Sequence, residues 1–128
     1  KEEASFYLKK SADQGNVNSM YFYALILDTT KKGKENKIEA SRYYKMAADK
    51  NNTDSMYNLA LMLDSGDGIP CSKKEALLYY KKAADNGLVD SMFNYALMLD
   101  EGEGVEVNKE EASKYYKMAT LLQCTIML

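Results

Sequence analysis

The segment from 75 to 105 reads EALLYYKKAADNGLVDSMFNYALMLDEGEGV, and it decides the fold because it is nearly a copy of the segment before it. Residues 39 to 69 read EASRYYKMAADKNNTDSMYNLALMLDSGDGI. The stretches 39–74 and 75–110 align without a gap and agree at about 20 of 36 positions. A fixed period of this length is typical of a solenoid built from one repeated supersecondary unit.

Within this unit, two apolar patterns at helical spacing are separated by a turn. The first predicts a helix over about 73–86, here called helix A, which buries Ala76, Tyr79, Tyr80, Ala83 and Ala84. The second predicts helix B, which ends near residue 100 and buries Met92, Tyr95, Ala96 and Leu99. One helix A and one helix B therefore make up each repeat.

Turn and cap residues mark the ends of these helices. A left-handed cap is expected at the end of each helix A, at Gly15, Asn51 and Gly87. Capping boxes are expected to start the A helices, in the pairs Asn36/Glu39, Ser72/Glu75 and Asn108/Glu111. The N-caps expected for the B helices are Asn18, Asp54 and Asp90. After each helix B, glycine pairs reverse the chain and precede two expected apolar anchors, Ile69 and Val105.

The unit resembles the Sel-one-like repeat (SLR), a helix-turn-helix family related to the tetratricopeptide repeats. Its pattern, E-A-x-x-Y-Y-K-K-A-A-D-x-G-x-x-D-S-M-x-N-x-A-L-M-L-D-x-G-x-G-V, is carried most fully by 75–105 and nearly as well by 39–69. The resemblance implies an adaptor or scaffold in protein assemblies. It also implies that helix A lines the concave face, so that the exposed residues of that helix are the candidates for binding.

These features predict an all-α protein, a right-handed α-solenoid of helix-turn-helix repeats with period 36, about 3.5 repeats and seven helices. We expect a single domain over 1–128, with repeats at about 3–38, 39–74 and 75–110 and a partial repeat at 111–128, and we expect it to be part of a longer array. The partial repeat has Gln123 where a helix-ending residue is usual. The segment 120–128 is therefore expected to continue as helix, either covering the last groove or exposing Leu122, Ile126 and Met127.

Two columns on the exposed side of helix A contain the candidate partner-binding residues. One repeats lysine at the 36-residue period, at Lys9, Lys45, Lys81 and Lys117. The neighbouring column varies, at Phe6, Arg42, Leu78 and Lys114. Arg42, Leu78 and Lys114 are candidates for binding, and Arg42 and Leu78 are expected to set partner preference. The lysines favour an acidic peptide or protein. The alternative is a solvated row paired with Asp13, Asp49 and Asp85, since two like charges about 10 Å apart in water repel by only about 0.4 kcal/mol.

The composition argues against several other classes of function. The 128 residues include no histidine, which removes Ser-His-Asp chemistry and most zinc sites. We therefore predict no catalytic residue, no metal and no cofactor. The net charge of −2, without a continuous basic face, argues against nucleic acid as a partner. No apolar run reaches the length of about 20 residues that a membrane-spanning helix needs, so direct membrane insertion is not expected.

The residues thus predict a non-catalytic protein–protein interaction module that holds a peptide or protein on its concave helix-A face. The alternative is a structural subunit of a larger assembly, joined end to end through its terminal half-repeats and especially through its C-terminal helix. Two cysteines without a framework spacing favour a reducing, cytoplasmic compartment. The sequon Asn51-Asn52-Thr53 leaves the secretory pathway or the lumen of the endoplasmic reticulum as the alternative location.

Overall fold

A computed structural model describes residues 2–30 and 33–127. Over these ranges the chain forms seven α-helices and no strand: α1 (Glu2–Asp13), α2 (Val17–Thr30), α3 (Lys34–Asp49), α4 (Thr53–Ser65), α5 (Lys73–Asp85), α6 (Val89–Glu101) and α7 (Lys109–Met127). The odd-numbered helices are A helices, the even-numbered ones are B helices, and each packs mainly on its neighbours in the chain. The predicted all-α solenoid of seven helices is confirmed.

The turns from helix A to helix B share one backbone geometry. Gly15, Asn51 and Gly87 have φ values of 100°, 69° and 98°. At the last of these turns, the Gly87 N–H donates to the Ala84 carbonyl at 2.9 Å and the Leu88 N–H donates to the Ala83 carbonyl at 3.1 Å. This is the Schellman pattern, which satisfies two of the free carbonyls at a helix end. The predicted left-handed column is confirmed.

The caps of the B helices lie two residues earlier than predicted. Asn52 Oδ1 accepts from the Ser55 N–H at 2.9 Å, and Asn16 Oδ1 accepts from the Ser19 N–H at the same distance. In the third repeat Leu88 occupies the N-cap position without a side-chain hydrogen bond. The predicted N-cap column of Asn18, Asp54 and Asp90 is wrong, because the Schellman turn is so short that the residue after its left-handed position already caps helix B.

The A helices keep half of the expected capping box. Ser72 Oγ accepts from the Glu75 N–H at 3.2 Å, and Asn108 Oδ1 accepts from the Glu111 N–H at 3.0 Å. The N–H groups of Ser72 and Asn108 themselves donate at 2.9 Å to carbonyls of the preceding helix B, so the glutamates are not needed there. The expected cap at Asn36 is wrong, because α3 begins at Lys34 after Gly33.

The loops from helix B to helix A pack on the repeat before them. Gly104 has φ 74°, and a Cβ at this position would lie 2.8 Å from the carbonyl carbon of Lys73, at the start of α5. Glycine is therefore required both for its backbone angle and for the space. Ile69 packs against the core as predicted. Val105 is 39% exposed, so its prediction as an anchor is wrong.

Alanine and tyrosine columns fill the core. Ala24, Ala60 and Ala96 are fully buried on the B helices, where small side chains permit close approach of neighbouring helices. Tyr44 and Tyr80, on A helices, are also fully buried and fill the wider gaps.

The last helix continues to Met127, as the loss of the helix-ending residue predicts. Leu121 and Leu122 are 68% and 38% exposed. The side chains of Ile126 and Met127, which were also expected to be exposed, lie outside the described residues, as does Leu128. None of the described helices is both long and apolar enough to cross a membrane.

Candidate protein-binding grooves

The lysine column on the outer side of the A helices, here the groove column (Lys9, Lys45, Lys81 and Lys117), is paired within its own helices at three positions. The Nζ–Oδ2 distances are 2.9 Å for Lys9–Asp13, 3.0 Å for Lys45–Asp49 and 2.8 Å for Lys81–Asp85. In each pair the hydrogen bond to the aspartate raises the pKa of the lysine. Exposed pairs four residues apart are worth only about 0.3–0.5 kcal/mol. A carboxylate from a partner can therefore replace the aspartate at little cost.

Tyrosines of the next A helix donate hydrogen bonds to two of these aspartates, Asp13 and Asp85. The Tyr43 hydroxyl donates to Asp13 Oδ1 at 2.7 Å, and the Tyr115 hydroxyl donates to Asp85 Oδ1 at 2.7 Å. Burial and the hydrogen bond with Asp13 raise the pKa of Tyr43 to about 12. The hydrogen bonds from Tyr43 and Lys9 lower the pKa of Asp13. These contacts hold neighbouring A helices side by side.

Arg42 and Lys45 lie together in a groove of about 380 Å³ bounded by α3, α4 and α5, here the first groove. Its walls also include Leu59, Glu75 and Tyr79. Arg42 is exposed and forms no ion pair with any residue that the structure describes. Its planar guanidinium is therefore free to bind a carboxylate through two parallel hydrogen bonds.

Leu78 and Lys81 lie together in a second depression of about 380 Å³ over α5 and α6, here the second groove. Leu77, Lys74 and Tyr95 line it as well, and its lining is almost entirely apolar. Leu78 and Lys81 follow Arg42 and Lys45 by one 36-residue period. The two grooves therefore hold equivalent places in successive repeats, but they present a cation in the first and an aliphatic side chain in the second.

The remaining predicted residues do not join these grooves. Lys9 lines neither of them. Lys114 lies over the ring of Tyr115, 5.7 Å from its centroid, in a cation–π contact. Lys117 lines a separate depression of about 600 Å³ on α7. Because Leu121 replaces the aspartate of the earlier repeats, Lys117 has no ion pair with the described part of the chain. The structure thus brings Arg42 to Lys45 and Leu78 to Lys81, but it does not unite all seven residues.

A second lysine column, here the loop column (Lys37, Lys73 and Lys109), was not among the predicted site residues. Each of its lysines pairs with an aspartate near the end of the preceding helix B: Lys37 with Asp28 at 2.6 Å, Lys73 with Asp64, and Lys109 with Asp100 at 2.5 Å. The 36-residue spacing of both partners is present in the sequence and is the signal that would have found these pairs.

The loop column also ties in the B-to-A loops and the buried tyrosines. Lys37 bridges to Asp67 in the following loop at 3.0 Å. The Tyr44 hydroxyl donates to Asp28 Oδ2 at 3.1 Å, which leaves that carboxylate shared between two donors. The acidic turns are therefore partners of lysines, and the described residues contain no cluster of ligands suited to a metal ion.

The comparison with protein families agrees with this repeat. The Sel1 repeat profile matches residues 1–16, 17–52, 53–88 and 89–123. The chain belongs to the Sel1 repeat family. Sel1 repeat proteins generally act as non-catalytic scaffolds that mediate protein–protein interactions. Each unit of the Sel1 profile begins with a helix B and ends with the next helix A, whereas the repeat defined above begins with helix A.

Solved structures of other Sel1-like proteins share the fold. A protective antigen of uropathogenic Escherichia coli with an SLR fold is 28% identical with a TM-score of 0.84, and this chain covers 25% of it with 92% of its own length. A Sel1 repeat protein from Oxalobacter formigenes is 27% identical with a TM-score of 0.82, over 90% of this chain and 47% of that one. The cysteine rich protein B of Helicobacter pylori has a TM-score of 0.70 and is 24% identical, over 92% of this chain and 90% of that one. This likeness supports the fold alone. No curated protein matches the chain.

Proposed function

We propose that this Sel1 repeat chain is a non-catalytic protein-interaction module that holds a peptide or protein partner on its concave helix-A face. One observation carries the proposal. The inner A helices α3 and α5 bury their alanines and tyrosines and leave outside a lysine and a variable neighbour, and these two successive pairs line adjoining grooves. Framework columns with a variable neighbour are the means by which a repeat surface acquires a specific ligand.

The chemistry of the grooves favours acidic groups on the partner. Among the described residues, Arg42 has no ion-pair partner, and Lys45 and Lys81 form ion pairs with exposed aspartates of their own helices. A carboxylate of the partner can pair with the lysine in place of the aspartate. Breaking the lysine–aspartate pair costs little, because such exposed pairs contribute little to the free energy of unfolding. The groove column is therefore suited to exchange its intramolecular carboxylates for those of a ligand.

The test is partner retention by three versions of the chain in a cell extract, read by mass spectrometry. The first is the wild type, and the second carries Lys45→Glu and Lys81→Glu in the grooves. The matched control carries Lys10→Glu and Lys50→Glu, which change the charge equally at exposed positions that line neither groove. We expect the groove variant alone to lose the partner while its helicity and melting are unchanged. Retention by the groove variant would contradict the proposal.

A second candidate function is a structural subunit joined through its ends. Tyr7 is 60% exposed, whereas the equivalent Tyr43 and Tyr115 are 8% and 3% exposed because a helix B packs on them. At the other end, the face of α7 with Tyr116 and Leu121 lines a depression of about 600 Å³. Both end faces thus expose residues that are covered inside the array.

Sedimentation over a concentration series tests this second candidate. If the ends join, association should rise with concentration, and Leu121→Asp should reduce it. That substitution restores the carboxylate found in the three earlier repeats and gives Lys117 a partner four residues away. A monomer at all concentrations removes this candidate and leaves the groove proposal untouched.

A further inference from the structure

We propose that the two grooves together recognise an extended peptide that carries one acidic and one apolar side chain, three or four residues apart. The acidic side chain binds Arg42 in the first groove, and the apolar side chain packs on Leu78 in the second. This inference rests on the proposed function, since it names the ligand of the same face.

The first groove accepts one carboxylate and discourages a second. Arg42 has its donors free, and Lys45 and the Tyr79 ring stand beside it. Glu75 lines both grooves and so lies between the two binding positions. Its negative charge opposes another acidic residue in the middle of the ligand or in the second groove. Within the first groove we therefore expect the acidic side chain at Arg42, which has no ion pair with the described residues, and not at Lys45, which pairs with Asp49.

The exposed lining of the second groove is almost entirely apolar and suits an apolar side chain. Its floor is Tyr95, which is 4% exposed and whose hydroxyl donates to Glu111 Oε2 at 3.0 Å. The Tyr95 hydroxyl thus already has its hydrogen-bond partner within the protein, and the ring offers a ligand only its apolar face. Leu78 is 51% exposed beside it and gains a partner when an apolar side chain enters. Lys74 and Lys81 stand at the margins.

The spacing follows from the distance between A helices. Side-chain contacts such as Tyr43–Asp13 and Tyr115–Asp85 join successive A helices directly. Successive A helices therefore lie one helix diameter apart, about 10–12 Å. An extended chain advances about 3.3–3.6 Å per residue, so this distance corresponds to three or four residues. A helical ligand, which rises about 1.5 Å per residue, would need about seven.

The experiment is selection of a displayed library of random linear peptides on the wild type, with counter-selection on the Lys45→Glu/Lys81→Glu variant. The same library is then selected on a swapped chain that carries Arg42→Leu and Leu78→Arg. Both positions are exposed, and the swap leaves the amino-acid composition and the net charge unchanged, so we expect the fold to be retained. Circular dichroism and thermal melting check this.

We expect wild-type binders to place an acidic and an apolar residue three or four apart in one constant order, and binders of the swapped chain to show the reverse order. A separation of about seven, an order unchanged by the swap, or enrichment without fixed spacing would overturn this inference. The proposed function would still stand in those cases, because the peptides would still depend on the groove lysines. If the wild type enriches no peptide over the counter-selected variant, the inference is overturned as well. The proposed function is tested separately in the cell extract, where retention of the partner by the groove variant would contradict it.

Discussion

Two lysine columns repeat with the same period in this chain, yet the structure gives them different ion-pair partners. The loop column joins three elements, because Lys37 reaches Asp28 in the helix before it and Asp67 in the loop after it. The groove column stays within one helix, since Lys45 pairs with Asp49 one turn further on. The side chains of Lys37 and Lys73 are 22% and 38% exposed, whereas that of Lys45 is 60% exposed. The last loop lysine, Lys109, is 71% exposed, so the contrast in burial holds for the first two loop lysines.

The difference shows that periodicity alone does not tell a structural residue from a binding residue. A partly buried pair that joins separate elements stabilises their arrangement, and removing one member leaves polar groups without a partner. An exposed pair within a helix contributes little and can be exchanged. The loop column therefore stabilises the fold, and we propose that the groove column binds the partner.

The largest effect should come from breaking the loop column. Asp64→Ala removes the acceptor of both Lys73 Nζ and the hydroxyl of Tyr80, a fully buried residue. A buried donor without a partner costs about 1–3 kcal/mol, so we expect the free energy of unfolding to fall by about 2 kcal/mol or more. Denaturant unfolding measures it. The matched change Asp49→Ala in the groove column should cost less than about 0.5 kcal/mol. Equal losses for both would remove the distinction between the columns.

A glycine that packs on the loop column should show the next largest effect. Gly104→Ala places a Cβ 2.8 Å from the backbone of Lys73 and at a φ of 74° that alanine disfavours. A left-handed residue costs about 1–2 kcal/mol, and the contact adds to this. Gly87→Ala, at φ 98° with open space around its Cβ, should lower the free energy of unfolding only by the cost of the left-handed backbone. Thermal melts of the two variants measure the difference, and a greater loss at Gly87 would contradict the packing described for the loop.

Acid titration should show a smaller effect in the groove column. Burial raises the pKa of Asp85, but hydrogen bonds from Lys81 and Tyr115 outweigh it and lower the pKa below its usual 3.8. A carboxylate with a lowered pKa stabilises the folded state above pH 3.8, and this contribution is lost as the pH falls through the folded-state pKa. The stability difference between wild type and Asp85→Asn, less than about 1 kcal/mol at pH 7, should therefore shrink below pH 4. A difference that grows in acid would reverse the sign assigned here.

The smallest effect should come from a neutral side chain without a partner. The Ser91 hydroxyl is buried and has no hydrogen bond within the described structure, whereas Ser19 Oγ donates to Ser11 Oγ at 2.8 Å. Ser91→Ala should leave stability unchanged or slightly higher, while Ser19→Ala should cost about 0.5–1 kcal/mol. Differential scanning calorimetry on both variants decides this, and a clear loss for Ser91→Ala would indicate a hydrogen bond that the structure lacks.

Much of the fold could be predicted from the sequence because it depends on spacing along the chain. The period, the alanine columns and the left-handed column at Gly15, Asn51 and Gly87 are all local patterns. The N-caps of the B helices were predicted two residues too late, because the length of the preceding turn depends on its backbone hydrogen bonds. The capping at Asn36 failed because the first loop departs from the repeat.

The candidate site could be predicted only in part for a related reason. The exposure of Arg42 and Leu78 follows from helical spacing, and their columns were found in this way. Which neighbours they share, such as Glu75 between the grooves or Tyr95 below Leu78, depends on contacts between helices. The loop column was missed because its acceptors come from the preceding helix and the following loop.

Photo-crosslinking tests the central claim, that the groove column holds the partner, most directly. A photo-reactive amino acid is placed at position 42 or 78 in the grooves, or at position 61 or 97, where leucines on the B helices are 39% and 45% exposed and line neither groove. We expect the retained partner to be crosslinked to the chain from positions 42 and 78 and not from positions 61 or 97. Joining from positions 61 and 97 with none from 42 and 78 would contradict it.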